Sequence, residues 1–297
     1  MPLLAALALL AIPHVRMPPQ ASPGGPEDVP ALGRVVVVGA SLSHGFGLED
    51  SGTKLTFADV VEASLRAPHE PVRSKTSLLF FASPVPTGKV QVEAAAAEKP
   101  TLVVGIDFLF WYGYGIFASE SDRLAMLDKG LSELERFDCP ILVGDFPDVS
   151  DAARSPEGAR PGLLAPEQIP SPSTRRKLDE KLRAWAAARK NVVVAPLGDL
   201  VARRTSGQDL VIHGNRWPAA SLGDLVQPDR LHPTLEGTIA LWLGSLDALV
   251  AGRREVPASA FEWDARAISG RLRTIAAGRR AKPDREASNS AGVGDRR

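Results

Sequence analysis

The sequence predicts an α/β fold in which helices cover both faces of a five-stranded parallel sheet. The first observation is a series of short runs rich in valine, isoleucine and leucine, each of which is typical of a buried strand. These runs are residues 34–39, 75–82, 101–106, 140–144 and 191–196. The second observation is that a helical pattern follows almost every run. Parallel strands need such crossover connections, so the order of the elements favours a parallel sheet.

The predicted helices are recognised by the spacing of their apolar residues. In residues 121–137, leucines recur every three or four positions, which places them on one face of a helix. The other helical segments between or after the strands are residues 57–67, 88–99, 174–189 and 234–250. A further helix at residues 265–277 has a small apolar face, and we expect it to pack on the domain rather than on a membrane.

Composition excludes several classes of function. The 297 residues include 35 Lys+Arg and 35 Asp+Glu, so the formal net charge is zero. A neutral chain lacks the basic surface that phosphate backbones attract, and nucleic acid is not an expected partner. A single cysteine, Cys139, allows no intramolecular disulfide and no cysteine-based metal site. The five histidines do not form an H-E-x-x-H motif, so neither a metal nor another cofactor is predicted.

The two ends differ in composition from the middle. Residues 3–12 are an apolar run that is too short to span a bilayer, which needs about 20 residues, but that is similar to the core of a secretory signal. We therefore expect residues 1–30 to be a signal-like segment with a flexible linker, and the protein to be exported to the periplasm or the exterior. A cytoplasmic protein is the alternative, because no Lys or Arg precedes the run. Residues 31–280 are predicted as one domain, without a transmembrane segment, and residues 281–297 as a disordered tail.

Two motifs carry candidate chemistry. Ser41 follows the first strand at a glycine-flanked turn, and ligand sites of such sheets lie beyond the carboxyl ends of the strands. Asp229 stands three residues before His232, ahead of the last helix of the sheet domain. A carboxylate at this spacing can hold the imidazole in one tautomer, which leaves the second ring nitrogen to accept a hydroxyl proton. Either motif alone also fits an ordinary turn, but together they predict a Ser-His-Asp triad.

With these motifs the chain resembles the SGNH/GDSL hydrolase superfamily. The first motif of that family is approximately G-D-S-[LI]-[ST]-x-G-x-G and the last is D-x-x-H-P. The matching residues are Gly39, Ser41, Leu42, Ser43, Gly45, Gly47, Asp229, His232 and Pro233. The resemblance implies a three-layer α/β/α sandwich of the flavodoxin-like type. It also implies a cofactor-free serine esterase that acts on an acetylated polysaccharide or a lipid ester. Ser41 would then be the nucleophile, His232 the general base and Asp229 the residue that orients it.

The sequence departs from this family at the residues that bind the oxyanion. The second family block offers a glycine N–H, for which Gly88 and Ser83 are the candidates here. The third block is G-x-N-D, whereas this chain has Gly105 followed two residues later by Asp107 at the position of the asparagine. An ionised carboxylate only accepts hydrogen bonds, and the loss of one oxyanion donor costs about 10²–10³ in kcat.

Three interpretations of Asp107 stay open at this point. The carboxyl group is protonated by burial and donates a hydrogen bond, or backbone donors alone support a slow enzyme. In the third, the chain is a catalytically impaired binding protein on the same fold.

Two neighbouring segments also have two interpretations each. The proline-rich residues 146–173 are a lid or a plain insertion. The aromatic residues 108–117 form a wall of the substrate site or a packed loop.

Overall fold

The computed structural model describes residues 28–50, 52–153 and 163–280. Most of the signal-like segment, the C-terminal tail and residues 154–162 of the proline-rich connection lie outside the described residues. The strands are β1 (Val35–Gly39), β2 (Glu49–Asp50), β3 (Thr53–Lys54), β4 (Arg73–Thr76), β5 (Leu102–Gly105), β6 (Ile141–Gly144), β7 (Val192–Ala195), β8 (Leu210–Ile212) and β9 (Asn215–Trp217). The helices are α1 (Ser41–His44), α2 (Phe57–Ser64), α3 (Pro84–Ala97), α4 (Phe110–Gly113), α5 (Glu120–Leu134), α6 (Pro172–Ala187), α7 (Leu197–Thr205), α8 (Leu235–Gly252) and α9 (Ala265–Arg280).

The central sheet has the order β4-β1-β5-β6-β7, and all of its strand pairs are parallel. This is the flavodoxin-like order, which confirms the predicted five-stranded parallel sheet. The chain turns from β1 to one edge and then returns to add β5 on the other side of β1. The crevice of such a sheet opens at this reversal, beyond the carboxyl ends of β1 and β5. Ser41 and Asp107 follow these two strands, so the topology brings both residues to the crevice.

Alternation along the strands explains the three layers. In β1, Val35 and Val37 belong to one apolar core and Val36 and Val38 to a second core. Successive side chains of a strand point to opposite faces, so a strand buried on both sides consists of apolar residues throughout. Helices α2, α8 and α9 cover the first face, and α3, α5 and α6 cover the second. The predicted α/β/α sandwich is therefore confirmed.

The second predicted strand was too long. β4 ends at Thr76, and the apolar residues that follow form a turn and a short 3-10 helix, Phe80–Ala82. In this segment Phe80 is buried, whereas Leu79 is 63% exposed and Phe81 is 50% exposed. An unbroken apolar run predicts a strand only if both of its faces are covered, and here the chain has already left the sheet. α3 consequently begins at Pro84, because proline suits the first helical turn.

The C-terminal helix packs on the domain, as predicted. Ile268, Leu272 and Ala276 repeat every four residues on α9, and all three are buried in the core that α2 and α8 share. Arg279 also pairs with the Asp59 carboxylate of α2, which anchors the end of the helix. α8 is long and apolar enough to cross a membrane, but ten of its residues are buried in the same core. Its apolar character is therefore explained by its central position.

Candidate active site

The predicted nucleophile, Ser41, lies at a sharp turn between β1 and α1. Gly39 ends the strand with φ +150°, and a Cβ atom at this position would lie 2.0 Å from Oδ1 of Asp107. Only glycine fits this conformation and this close approach. The chain then reverses at once, so Ser41 is the first residue of α1 and lies at the carboxyl edge of the sheet. Its hydroxyl Oγ is 2.7 Å from Nε2 of His232.

The base is held by its partner carboxylate and by the backbone. Oδ2 of Asp229 is 2.7 Å from Nδ1 of His232, while Oδ1 accepts the N–H groups of Leu231 and His232 at 2.9 and 3.0 Å. Burial acts to raise the pKa of Asp229, but hydrogen bonds from the His232 ring and the two amides outweigh it and lower the pKa. An ionised carboxylate only accepts, so Nδ1 carries the ring proton and Nε2 is free to accept the hydroxyl proton of Ser41.

Two glutamines that the sequence analysis missed fix these loops. Gln91 of α3 is buried; its Oε1 accepts the N–H of Gly39 and its Nε2 donates to the carbonyl of Gly39, each at 2.9 Å. Gln227 donates to the carbonyls of Phe46 and Pro233, each at 2.8 Å, and so ties the serine loop to the histidine loop. Only Gln91 could have been recognised from the sequence, because it is a polar residue on the apolar face of α3.

The imidazole is shielded from one side by an aromatic ring. Phe46 lies with its ring centroid 4.3 Å from that of His232, although the phenylalanine is itself 38% exposed. His232 is only 5% exposed as a result of this and its other contacts.

Asp107 lies in the crevice, where it accepts hydrogen bonds from the serine loop. The Ser43 hydroxyl donates to Oδ1 at 2.5 Å and the Ser43 N–H donates to Oδ2 at 3.1 Å. Burial raises the pKa of Asp107, and hydrogen bonds from Ser43 and from the amides of Ala40 and Leu42 oppose this rise only in part. The carboxyl group therefore caps the first turn of α1 and favours a protonated state more than an ordinary aspartate does.

The other predicted oxyanion residues are not brought to the crevice. Ser83 is exposed immediately before α3, and Gly88 is the fifth residue of that helix, where a Cβ atom would lie 2.1 Å from the hydroxyl oxygen of Tyr112. Gly105 ends β5 and packs against Val38. None of the three lines the cleft that contains the triad. Gly88 and Ser83 as oxyanion donors stay predictions, and their position outside the lining of this cleft follows from the start of α3 at Pro84.

The triad opens into a large apolar cleft. Its volume is about 1000 Å³, including the part that is open to solvent. Ser41, His232 and Asp107 line it, and α7 and α8 supply aliphatic side chains. Phe110 and Trp111 from the predicted aromatic wall also line the cleft. Other aromatic residues of that segment are packed inside: Tyr112 donates to the carbonyl of Pro84, and Tyr114 donates to that of Pro147. The segment thus serves partly as a wall of the cleft and partly as core.

The described parts of the proline-rich connection border the same cleft. Pro147 and Val149 line it just after β6, whereas residues 154–162 lie outside the described residues. The prediction of a lid stays a prediction. Within the described ranges, no group of three or more His, Cys, Asp and Glu side chains is arranged to hold a metal ion.

No protein-family profile and no curated protein sequence matches this chain. Among solved structures, it is similar to a lipase/acylhydrolase from Enterococcus faecalis, with 14% identity, a TM-score of 0.47 and coverage of 78% of this chain and 99% of that chain. It is also similar to an acetylxylan esterase from Geobacillus stearothermophilus, with 17% identity, a TM-score of 0.43 and coverage of 78% and 95%. A third is TesA, with 17% identity, a TM-score of 0.46 and coverage of 74% and 99%. The chemistry of the site therefore has to be argued from this chain's own residues.

Proposed function

We propose that this protein is a serine hydrolase that cleaves carboxylic esters. The observation that carries the proposal is the continuous chain of short contacts from Asp229 through His232 to Ser41, with 2.7 Å at each step. Ser41 Oγ attacks the ester carbonyl while His232 takes its proton. The imidazolium then protonates the leaving alcohol, and a water molecule activated by His232 releases the acyl group from Ser41.

The oxyanion requires donors that the serine loop and Asp107 can supply. The N–H of Ser41 lies at the start of α1, one peptide away from the amides that face Asp107. A protonated Asp107 carboxyl would add a second donor, and its raised pKa supports that state. Donors of this kind act on charge that develops in the transition state, where each contributes about 3–4 kcal/mol.

A second candidate function is binding without turnover. The observation that favours it is the same Asp107, because an ionised carboxylate in the crevice would repel the oxyanion. On this alternative the triad geometry persists while the esters bound in the cleft are not hydrolysed.

The aliphatic walls bear on the substrate. A cleft lined mainly by leucine, valine and alanine side chains favours an ester with an apolar chain over an acetylated polysaccharide, whose hydroxyl groups would lose their hydrogen bonds to water. We therefore infer that the substrate is closer to a lipid ester.

The test is hydrolysis of p-nitrophenyl acetate, butyrate and octanoate by the full chain and by Ser41→Ala. We expect turnover that increases with chain length, and a loss of about 10⁴-fold or more in the variant. Ser132→Ala, on the exposed side of α5, is the matched control and should keep full activity. Turnover that survives in Ser41→Ala would contradict the serine mechanism. A folded protein that hydrolyses none of the esters between acid and alkaline pH would favour the binding function.

A further inference from the structure

One wall of the cleft combines an aliphatic stripe with a single cationic side chain. Leu197, Leu200, Val201 and Arg204 of α7 all line the cleft. Their spacing of three, four and seven residues places them on one face of the helix. Leu241 and Ala240 of α8 also line the cleft. Arg204 is the one lysine or arginine among the described residues that line this cleft.

Arg204 has an unused hydrogen-bond donor at this position. Its Nε atom is buried, and no acceptor among the described residues reaches it. Buried polar groups of proteins are nearly always paired, and an unpaired one is costly. Arginine also presents its N–H groups as a planar fork that matches the two oxygens of a carboxylate. The structure therefore contains the protein half of an arginine–carboxylate pair inside an apolar cleft.

Arg204 lies in the last turn of α7, far along the helix from its first residue. Seven residues separate it from Leu197, which corresponds to about 10 Å along α7. The Asp145 carboxylate accepts the N–H of Gly198 at 2.7 Å, so an acidic group marks the beginning of the same helix. Asp145 is already paired with Arg183 at 2.8 Å, whereas the Nε of Arg204 has no acceptor among the described residues. An added anionic group is therefore attracted to Arg204 rather than to Asp145.

We propose that the cleft binds an ester whose acyl chain ends in a carboxylate, and that Arg204 pairs with that carboxylate. The inference rests on the proposed hydrolysis. The acyl part is assigned to the cleft because it stays attached to Ser41 after the alcohol has left. The substrate class is accordingly a monoester of an aliphatic dicarboxylic acid, with the length of its chain set by the distance from Ser41 to Arg204.

The experiment compares matched pairs of substrates. Each pair consists of the p-nitrophenyl monoester of a dicarboxylic acid and the same ester with its free carboxyl capped as a neutral methyl ester. The acids are succinic, adipic, suberic and sebacic acid. For the full chain we expect the ratio of kcat/KM, carboxylate over capped ester, to exceed one and to reach its maximum at one chain length. In Arg204→Leu this ratio should fall by about ten- to hundredfold, since a charge-assisted hydrogen bond is lost.

Two variants separate charge from packing. Arg203→Leu removes the neighbouring arginine, which lines a different cavity beside His213, and should leave the ratio unchanged. Arg204→Lys keeps the charge without the fork and should restore part of the preference. If Arg204→Leu changes kcat/KM equally for both members of each pair, Arg204 only contributes its aliphatic stem to the wall, and the proposal is overturned.

A binding measurement separates this proposal from the hydrolysis itself. Monomethyl suberate is titrated into Ser41→Ala and into the double variant Ser41→Ala/Arg204→Leu by calorimetry, with dimethyl suberate as the neutral reference. Binding of the carboxylate that weakens at least tenfold without Arg204 supports the proposal even if no ester is hydrolysed. Equal affinities of the two proteins for monomethyl suberate, or no binding to either, would rule it out.

Discussion

The two halves of the crevice differ in how their polar groups are satisfied. In the half formed by the loops after β1 and before α8, Ser41, His232 and Asp229 each contact the next at hydrogen-bond distance. In the half formed by the ends of β5 and β6, two buried carboxyl groups stand instead, Asp107 and Asp145. Burial raises the pKa of Asp107, and it raises that of Asp145 to about 6. The difference teaches that, on the proposed function, activation of the nucleophile and stabilisation of the oxyanion belong to separate loops, so one can be intact while the other is altered.

The largest effect is expected from Asp229→Asn, in the half of the crevice that contains Ser41 and His232. An amide cannot hold Nδ1 as the protonated nitrogen in the way an ionised carboxylate does, so we expect kcat to fall by about 10⁴. KM should change little, because Asp229 does not line the cleft. The measurement is steady-state hydrolysis of p-nitrophenyl butyrate. Asp224→Asn, an exposed aspartate in the same loop region, is the control that should keep full activity. A loss of less than tenfold in Asp229→Asn would contradict the assigned role.

Asp107→Asn tests the other half of the crevice through the pH dependence of kcat. If the protonated carboxyl is an oxyanion donor, the kcat of the wild type decreases as the pH rises through the raised pKa of Asp107. The asparagine amide does not titrate, so the variant should keep its activity at alkaline pH and exceed the wild type there by about 10²–10³. The experiment records kcat from acid to alkaline pH for both proteins. A flat alkaline limb in the wild type, together with an inactive variant, would refute this role.

A smaller effect on kcat is expected from Gln227, which connects the serine loop to the histidine loop. Gln227→Leu removes the donors to the carbonyls of Phe46 and Pro233. We expect kcat to fall about tenfold and the free energy of unfolding to decrease by about 1–3 kcal/mol, since two hydrogen bonds are lost. Chemical denaturation and kinetics measure the two effects, with the exposed Gln208→Leu as the control. A variant with unchanged kcat but lower stability would show that Gln227 supports the fold without positioning the triad.

The smallest effect on activity is expected at Asp145, where stability is the better readout. Its carboxyl has a higher pKa in the folded protein, about 6, than its ordinary value of 3.8. The folded state therefore holds the proton more tightly, and the wild type loses stability as the pH rises from about 4 to about 6. Asp145→Asn lacks this titration, so its stability relative to the wild type should improve over that range by up to about 3 kcal/mol. Parallel stability curves between pH 4 and pH 7 would contradict the raised pKa.

Much of the fold was predictable because strands buried on both faces leave a simple pattern. The runs that became β1, β5, β6 and β7 consist of β-branched and aliphatic residues bounded by turns. The same rule failed at residues 75–82, since the apolar residues after Thr76 form a turn and a short 3-10 helix instead of continuing the strand. α3 consequently begins at Pro84, and Gly88 lies against Tyr112.

The triad was predictable in a way that its surroundings were not. Asp229 and His232 are three residues apart, and a local turn is enough to bring them together. The prediction that Ser41 lies near this pair needed one further premise, namely that the carboxyl ends of parallel strands lie at the same edge of the sheet. Gln227 and Phe46 lie 181 residues apart in the chain and meet only after folding. Nothing in the neighbourhood of either residue in the sequence indicates their contact.

The sequence by itself determined the alternation of strands and helices, the net charge of zero and the three residues that are predicted to form the triad. These depend on local spacing and on composition, which are read directly along the chain. The tertiary structure alone decided that Asp107 is buried and accepts hydrogen bonds from Ser43, and that the buried Nε of Arg204 has no acceptor among the described residues. The physical reason is desolvation: the state of a charged group depends on which groups surround it in space, and most of those are distant in sequence.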